Sequence, residues 1–513
     1  MYPPTIARTR PDALAYIMAG SGQSLTYGQL DSRSNQLAHA WRELGVTEGD
    51  SVMIVMENRI EWPVVVAAGM RSGLYVTPVN WHLKATELSA LVREADPKVV
   101  VTSPMLAVTV QEALAGTASI PICVGEGNDG FSSFDQLLGG HPTTPIDGEK
   151  IGARVLYSGG TTGRPRAFRQ ALLNIHPEEA PARHGELMKR LQIDGSTILL
   201  SPAPNYHAAP FTFQLITLGL GGTVVCMEKF DPKECLAAIS RYQVTHSQWV
   251  PTMLVRLLAM HGRDDVPLSP SHRVAVTSGA PCPPTVKAAI DSWWGPLLHE
   301  YYGASEGYGH TYISPLEART HPGSVGRPLG TTAVHITDEQ GADLPTGEIG
   351  TVAFEALQAK AYVNQDDPSA TARLKGMGDL GYLDEEGYLY LTGRAGYTII
   401  SGGVNIYPDE IEAALLNHPH VLDAAVFGEY DADFGERVVA VVELAEGTEH
   451  GQAMVDNLVE HCRDALASYK QPRRVVITDE MPRLPTGKLN KKALRETYAQ
   501  LDEQPTHALG DRR

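Results

Sequence analysis

The feature that most constrains the fold is an alternation of short apolar runs with helix-like segments in the first hundred residues. The strand-like runs cover residues 51–56, 75–79 and 98–102, and the helix-like segments cover residues 62–71 and 87–95, with Thr86 as the predicted cap of the second helix. Strands that alternate with helices in this way predict a parallel sheet covered by helices.

The same alternation returns in the middle of the chain. The predicted elements are strands at 197–200, 246–250 and 273–277, helices at 252–261 and 284–294, and a β-hairpin formed by residues 332–337 and 347–355 with Gly341 in its turn. The sequence therefore predicts an α/β fold with a large N-terminal domain of parallel-rich sheets, covering helices and a β-hairpin or barrel-like region.

The pattern changes near residue 394. The predicted elements are helices at 409–417 and 454–466 and strands at 421–426 and 436–444, which together indicate a small α+β domain. We predict an N-terminal domain over 1–393, a hinge over 394–398, a mobile C-terminal domain over 399–499 and a polar tail over 500–513.

Length, charge and cysteine content exclude several classes of protein. The 513 residues exceed the roughly 250–300 that one core supports, so at least two domains are expected. A net charge of -18 argues against nucleic acid and an anionic membrane surface as partners. The chain begins without a basic segment and apolar run, and its five cysteines show no metal-ligand spacing. These features predict a cytoplasmic protein with reduced thiols.

The strongest chemical signal is a glycine-rich stretch after the apolar run 153–157. It contains Ser158, Gly159, Gly160, Thr161, Thr162 and Gly163, followed by Arg164, Pro165 and Arg166. Glycines allow backbone N–H groups to form an anion-binding nest, hydroxyls add donors, and arginines add positive charge. An isolated stretch of this kind is more often a surface turn, so its meaning depends on what accompanies it.

Several further motifs follow in order. They are Ser278-Gly279-Ala280-Pro281, Tyr301-Tyr302-Gly303-Ala304-Ser305-Glu306, Gly378-Asp379-Leu380-Gly381-Tyr382, Gly393-Arg394, the stretch 401–408, and Pro485-Thr486-Gly487-Lys488. With the glycine-rich loop, this series resembles the adenylate-forming superfamily of acyl-CoA synthetases, luciferases and peptide-synthetase adenylation domains. The resemblance covers nearly the whole chain and is closest to acyl-CoA synthetases.

The resemblance implies a role for each motif. The glycine-rich loop, including Arg166, binds phosphates, Gly279, Ala280 and Pro281 contact adenine, and Gly303 belongs to the next nucleotide motif. Glu306 is the predicted Mg²⁺ ligand, because Mg²⁺ prefers carboxylate and phosphate oxygens. Ser305 offers a hydroxyl to the α-phosphate, Asp379 binds the ribose hydroxyls, and Tyr302 can stack on adenine. Lys488 stabilises charge in the transition state, and Arg394 completes the catalytic set. Lys491 and Lys492 are expected to be surface lysines.

For the acid, the resemblance places pocket residues in three segments. His207 and Trp249 are the candidates in the first two, and Ser278 marks the third. A histidine on such a loop is more often a hydrogen-bonded structural residue, so this alternative stays open for His207.

The chain departs from the family pattern at three positions. Arg166 stands where lysine is usual, and Gly393 stands where an aspartate is usual. Gly396 occupies the position of the usual hinge residue, where glycine permits rotation but provides no side-chain anchor.

The function implied is an AMP-forming ligase that uses ATP and Mg²⁺ to activate a carboxylic acid and transfers it to coenzyme A. An ATP-dependent diazotase that activates nitrite for an aryl amine is one alternative, and a non-catalytic nucleotide-binding relative is another. The expected partners are small molecules only, with no nucleic acid and no membrane insertion, while a homodimer stays open.

Overall fold

Twenty-seven strands and fifteen α-helices build the part of the chain that the structure, a computed structural model, describes. That part comprises residues 2–125, 129–158, 166–169, 171–180, 185–263, 266, 268–280, 282–303, 307–330, 332–355, 361–362, 374–394, 397–401, 404–431, 434–466, 468–483 and 489–498.

The strands are β1 (Leu14–Met18), β2 (Ser24–Thr26), β3 (Ser51–Val55), β4 (Tyr75–Pro78), β5 (Val99–Thr102), β6 (Ile120–Cys123), β7 (Ser132–Ser133), β8 (Ala153–Arg154), β9 (Leu156–Ser158), β10 (Arg166–Arg169), β11 (Ile198–Ser201), β12 (Thr223–Cys226), β13 (His246–Trp249), β14 (Val274–Thr277), β15 (Leu298–Gly303), β16 (His310–Ile313), β17 (Arg327–Pro328), β18 (Val334–Thr337), β19 (Gly350–Glu355), β20 (Ala361–Tyr362), β21 (Leu374–Leu383), β22 (Leu389–Arg394), β23 (Ile399–Ser401), β24 (Val404–Ile406), β25 (Val421–Asp431), β26 (Gly435–Leu444) and β27 (Arg474–Thr478).

The α-helices are α1 (Pro4–Ala7), α2 (Tyr27–Glu43), α3 (Trp62–Arg71), α4 (Ala85–Ala95), α5 (Ala107–Ala113), α6 (Phe134–Gly139), α7 (Gly185–Arg190), α8 (Ala208–Leu220), α9 (Pro232–Arg241), α10 (Pro251–Leu258), α11 (Pro284–Trp294), α12 (Pro315–Thr320), α13 (Pro408–Leu416), α14 (Gln452–Ala465) and α15 (Lys491–Tyr498). Among the described residues, no helix combines the length and the apolar character needed to cross a bilayer.

Two large sheets carry the N-terminal part, as the strand and helix alternation predicted. The first has the order β7-β6-β5-β3-β4-β8 and is parallel throughout. The second has the order β17-β16-β15-β14-β13-β11-β12-β1-β2, with a parallel centre and antiparallel pairs at its two edges. The parallel fold class is therefore confirmed.

Two smaller antiparallel sheets complete the large domain. One has the order β20-β10-β9, and the other, β18-β19-β21-β22, contains the predicted hairpin. The C-terminal domain, a name used here for the described residues from Ile399 onward, has its own sheet of order β24-β23-β26-β25, with β27 added parallel to β26. Its core, which includes Ile411, Val426, Val442 and Leu458, is formed by its own residues.

Helix α3 shows how the large domain tolerates a charge in its interior. All ten of its residues are buried, including Arg71 at its last position. The Arg71 guanidinium lies 2.6 Å from a Glu149 carboxylate oxygen and 3.0 Å from one of Asp31. A buried charge is tolerated when it is paired and hydrogen-bonded in this way.

Two local expectations need correction. Thr86 does not cap α4, because the helix begins at Ala85, two residues before the predicted start, and its cap is Lys84, whose backbone N–H donates to Glu87 at 2.9 Å. The run 153–157 is not one strand, because β8 pairs with β4 while β9 pairs with β10 of another sheet. The chain therefore leaves the first parallel sheet immediately before the glycine-rich loop.

The five cysteines are all buried and free, in agreement with the expected reduced thiols.

Candidate functional site

At the centre of the large parallel sheet, the ends of β13 and β14 lie level with Glu300, three residues before the end of β15. The register pairs Trp249 of β13 with Thr277 of β14, and Thr277 with Glu300 of β15. Ligands in parallel α/β sheets bind outside the carboxyl ends of the strands. The turn that begins at Ser278 and the end of β15 both lie at this edge, so the structure brings two of the predicted motifs together.

The turn after β14 depends on a glycine. Gly279 has φ of +88°, a backbone conformation that side chains other than glycine rarely adopt. Ser278 just before it is buried, with 4% of its surface exposed. Ala280 follows and is partly exposed, while Pro281 lies outside the described residues.

A hydrogen bond joins the predicted nucleotide residues Tyr302 and Asp379. The Tyr302 hydroxyl donates to Asp379 Oδ2 at 2.7 Å, although 77 residues separate them in the chain. The Tyr302 ring stacks on Phe354 with a centroid separation of 5.9 Å. Asp379 is buried and lies directly opposite Arg394 in the β21–β22 pair. The antiparallel sheet thus brings the predicted ribose ligand to the end of β15, beside Gly303.

A buried ion pair that the sequence did not suggest anchors β15. Glu300 is 3% exposed and pairs with Lys287 of α11. The Lys287 ammonium also donates to the Ser324 carbonyl at 3.1 Å. Burial raises the pKa of the Glu300 carboxyl, and the adjacent ammonium opposes that shift. The sequence did contain a sign of this ion pair, because Lys287 lies on the buried face of a helix whose other buried residues are apolar.

The strands on either side of the glycine-rich loop, β9 and β10, pair antiparallel. The register pairs Ser158 of β9 with Arg166 of β10. The predicted residues Gly159, Gly160, Thr161, Thr162 and Gly163, together with Pro281, Ser305, Glu306, Gly396 and Lys488, lie outside the described residues. Their roles, and those of the side chains of Ser158, Arg166 and Arg394, stay predictions.

One face of the candidate acid site is formed around helix α8. His207 occupies the N-cap position of α8, and its ring lies 4.1 Å from that of Tyr206. Tyr301 packs beside Phe213 of the same helix at 6.0 Å between ring centroids. Burial raises the pKa of the Tyr301 hydroxyl, while the nearby Ser278 side chain and the charge of Arg154 act in the opposite direction. Ser278 and α8 thus border the same tyrosine.

Trp249 lies apart from this face, and its assignment as a pocket residue stays a prediction. Its side chain is fully buried, and its indole N–H donates to Ser247 Oγ at 2.6 Å. Its ring packs beside Trp294 of α11 at 5.8 Å, within the apolar core. The family resemblance placed Trp249 in the pocket, and the structure packs its side chain against α11.

Gly393 has a conformational reason to be glycine. Its φ is +149°, and a Cβ there would meet only ordinary contacts, the nearest being Asp409 and Tyr407 at 3.8 Å. A side chain at position 393 would have space, but the backbone angle is unfavourable for any residue except glycine. The strain would therefore come from the backbone conformation and not from crowding. The departure from the family pattern at this position therefore matches the local backbone.

Lys491 is not the plain surface lysine that the sequence suggested. Its ammonium lies 3.3 Å from a Glu412 oxygen and 3.9 Å from one of Asp409, with 16% of the side chain exposed. It also lies 5.2 Å from the centre of the Tyr397 ring. Glu412 Oε1 in turn accepts the Val426 backbone N–H at 2.8 Å. Lys491 thus connects the segment after Lys488 with α13 and with the predicted hinge.

Comparisons with known proteins agree with this arrangement. The profile of the AMP-binding enzyme family matches residues 5–358, and that of the AMP-binding enzyme C-terminal domain matches residues 410–488. The chain is 29% identical to a long-chain-fatty-acid–CoA ligase, FadD13, of Mycobacterium tuberculosis, over 96% of this chain and 97% of that protein. It is 30% identical to an indoleacetate–CoA ligase of Aromatoleum aromaticum, over 93% and 94% respectively.

A solved structure shares the fold over the full length. ATP-bound MatB from Rhodopseudomonas palustris aligns with a TM-score of 0.84 and 28% identity, covering 98% of this chain and 100% of MatB.

Proposed function

Because the chain belongs to the AMP-binding enzyme family, we propose that it is an AMP-forming ligase that activates a carboxylic acid with ATP and transfers the acyl group to coenzyme A. The observation that carries this proposal is the hydrogen bond between Tyr302 and Asp379. It unites two family motifs at the carboxyl end of the parallel sheet, where a nucleotide would bind.

The residues at this edge fit a nucleoside. The Asp379 carboxylate can accept hydrogen bonds from ribose hydroxyls, as acidic residues do in other nucleotide sites. The positive φ of Gly279 allows the backbone to turn beneath a flat base. We assign the phosphates to the glycine-rich loop from Ser158 to Gly163 with Arg166, and the α-phosphate to Ser305, while Glu306 would hold Mg²⁺. That cation would neutralise charge as the acid attacks the α-phosphate.

We assign the two half-reactions to two placements of the C-terminal domain. Lys488 would stabilise charge during adenylation, with Arg394 beside the ribose site, and rotation about the hinge 394–398 would then admit coenzyme A. The domain bounds 1–393 and 399–499 are part of this proposal. The network around Lys491 supports it, because it connects the segment after Lys488 to Tyr397, within the predicted hinge.

The relatives named above are CoA ligases, so the diazotase alternative gains no support from them. A non-catalytic role is disfavoured, since the matching family is one of enzymes. Neither alternative is developed further.

The test is an acid panel with ATP and Mg²⁺, scored by pyrophosphate release. The panel contains fatty acids, arylacetic acids and short polar acids. We expect acid-dependent AMP and pyrophosphate, and an acyl-CoA product by mass spectrometry when coenzyme A is present. Parallel reactions replace coenzyme A by an amine. Amide formation without thioester would overturn the acceptor assignment, and absence of acid-dependent pyrophosphate with every acid would overturn the ligase assignment.

A further inference from the structure

A lysine is buried near the N-terminus of helix α11. Lys287 is the fourth residue of this helix, and only 11% of its side chain is exposed. Burial disfavours an ammonium group, and the helix dipole disfavours a cation near a helix N-terminus. Two physical effects therefore oppose a lysine at this position, so its presence calls for an explanation from its contacts.

The Lys287 ammonium joins two sheets of the large domain. It pairs with Glu300 of β15, whose side chain is 4% exposed, and it donates to the Ser324 carbonyl at 3.1 Å. The Ser324 hydroxyl in turn donates at 2.9 Å to the carbonyl of Leu389, the first residue of β22. The ammonium thus connects α11 and β15 of the large sheet with β22 of the antiparallel sheet.

The segment 324–326 makes further hydrogen bonds to both sheets. The Val325 N–H donates to the Leu389 carbonyl, and the Leu389 N–H donates to the Gly326 carbonyl, each at 2.9 Å. On the other side, the hydroxyl of Thr311 in β16 donates to the Val325 carbonyl at 2.6 Å. The segment that accepts the Lys287 hydrogen bond is therefore the direct connection between the two sheets.

Each element that the ammonium connects carries, or pairs directly with, a residue of the proposed nucleoside site. The turn at Gly279 precedes α11, and Tyr302 lies in β15. Asp379 lies in β21, opposite Arg394 of β22. The Tyr302 hydroxyl donates to Asp379 at 2.7 Å, across the junction of the two sheets. A relative shift of the sheets by about 1 Å would break this hydrogen bond.

We propose that Lys287 is a positioning residue for the nucleoside of ATP. Its ammonium, paired with Glu300, fixes the spacing between β15 and β22, and that spacing places the ribose-binding carboxylate of Asp379. Lys287 acts through the two sheets and touches neither ATP nor the acid. Apolar residues of similar volume usually stabilise a fold as well as a buried ion pair does, so fold stability alone does not account for the pair. This inference rests on the proposed ligase function.

The test compares ATP with 2′,3′-dideoxy-ATP, which lacks both ribose hydroxyls. Acid-dependent pyrophosphate release gives kcat/KM for each nucleotide, and the ratio of the two values measures ribose recognition independently of the amount of active enzyme. We expect the wild type to prefer ATP by about 10- to 100-fold, the range of hydrogen bonds to a charged group. Absence of this preference in the wild type would overturn the inference, because no ribose contact would need positioning.

The decisive variant carries Lys287→Met and Glu300→Leu together. It removes both charges and leaves no unpaired buried charge, so its unfolding temperature should stay close to that of the wild type. Its preference for ATP should fall below about threefold and its KM for ATP should rise about five- to tenfold, less than the loss of a direct hydrogen bond to a charged group. The KM for the acid should change less than about twofold.

Glu149→Gln is the matched control for Glu300→Gln. Glu149 pairs with Arg71 of α3 at 2.6 Å, and its side chain is 4% exposed, as is that of Glu300. Removing the charge of one partner from either buried pair is destabilising, so both variants should have lower unfolding temperatures. Only Glu300→Gln should lower the preference for ATP over the dideoxy nucleotide.

The outcomes separate the two proposals. If the wild type releases no acid-dependent pyrophosphate from ATP, the ligase function fails, and this inference fails with it. If the wild type reacts but the double variant keeps the full preference for ATP, the ligase function stands and the role of Lys287 is refuted. An equal loss of preference in Glu149→Gln and Glu300→Gln would likewise refute it. If the double variant does not fold, the comparison of these two single variants decides.

Discussion

The large domain and the C-terminal domain hold their functional residues by different physical means. In the large domain, Ser278 follows β14, Tyr302 lies near the end of β15 and Asp379 lies within β21. A partly buried hydrogen bond of 2.7 Å joins Tyr302 to Asp379. In the C-terminal domain, Lys491 holds the start of α15 through ion pairs with Asp409 and Glu412.

The difference matches the two tasks proposed for these regions. Strands of a sheet hold nucleotide-binding groups in fixed positions, because moving such a group would break the hydrogen bonds between neighbouring strands. The ion pairs of Lys491 fasten α15 to α13 through side chains that are only 16% to 29% exposed, so breaking them would be costly. They suit a region that, in our proposal, moves as one unit when it presents a lysine in one step and withdraws it in the next.

The largest effect that would sharpen this comparison is acid destabilisation of the large domain. Burial lowers the pKa of His246, His272 and His299 to about 4. In the unfolded chain these histidines bind protons near pH 6.5, whereas in the folded state they stay neutral down to about pH 4. The free energy of unfolding therefore decreases as pH falls from about 6.5 to 4. By pH 5 we expect a loss on the order of 5 kcal/mol in total.

Urea unfolding at pH 7 and pH 5, followed by tryptophan fluorescence, measures this loss. All six tryptophans lie before residue 295, so the signal reports the large domain only. His272→Gln should reduce the pH dependence, and exposed His261→Gln should leave it unchanged. Equal stability at both pH values would show that the buried histidines do not resist protonation.

The next effect concerns Lys488. We expect Lys488→Ala to lower the adenylation rate by about 10²–10³, the usual consequence of losing one preorganised donor, with little change in ATP binding. Pyrophosphate release and ATP titration measure the two properties, and Lys492→Ala is the control. Transfer from chemically supplied acyl-AMP should persist. A near-normal adenylation rate would remove Lys488 from the mechanism.

A smaller effect is expected at the ribose site. Asp379→Ala should raise the KM for ATP about 10- to 100-fold, because hydrogen bonds to a charged group contribute about 1.5–3 kcal/mol. Tyr302→Phe keeps the ring on Phe354 but removes the hydroxyl, so it should raise the KM for ATP by less. If the two variants leave the KM for ATP unchanged, the nucleotide does not bind at this edge.

The smallest effect tests the ion pairs of the C-terminal domain. Lys491→Met should lower the adenylation kcat by about three- to tenfold, the range of one partly exposed ion pair with a cation–π contact, and leave the KM for ATP unchanged. Lys491→Arg should restore the rate, since it keeps the charge near Glu412 and Tyr397. Loss of stability without a change in kcat would make Lys491 a structural residue only.

The sequence by itself determined the features that neighbouring residues encode, which are the helices, the strands and the short motifs. Helices at 62–71 and 284–294 have the bounds that were predicted, since apolar periodicity and the flanking prolines and glycines are local signals. The order of the motifs likewise indicated the family, because each motif is a short, continuous stretch.

Tertiary structure alone decided which side chains meet. The contacts of Tyr302 with Asp379, Arg154 with Thr212 and Lys491 with Glu412 join residues 58 to 79 positions apart. The local pattern around Trp249 fits either layer of the sheet, and only the packing of α11 shows which layer covers its side chain. The packing of sheets and helices against one another decides which distant residues meet. The strand period of two residues and the helix period of 3.6 residues describe only neighbouring positions, so they do not encode these contacts.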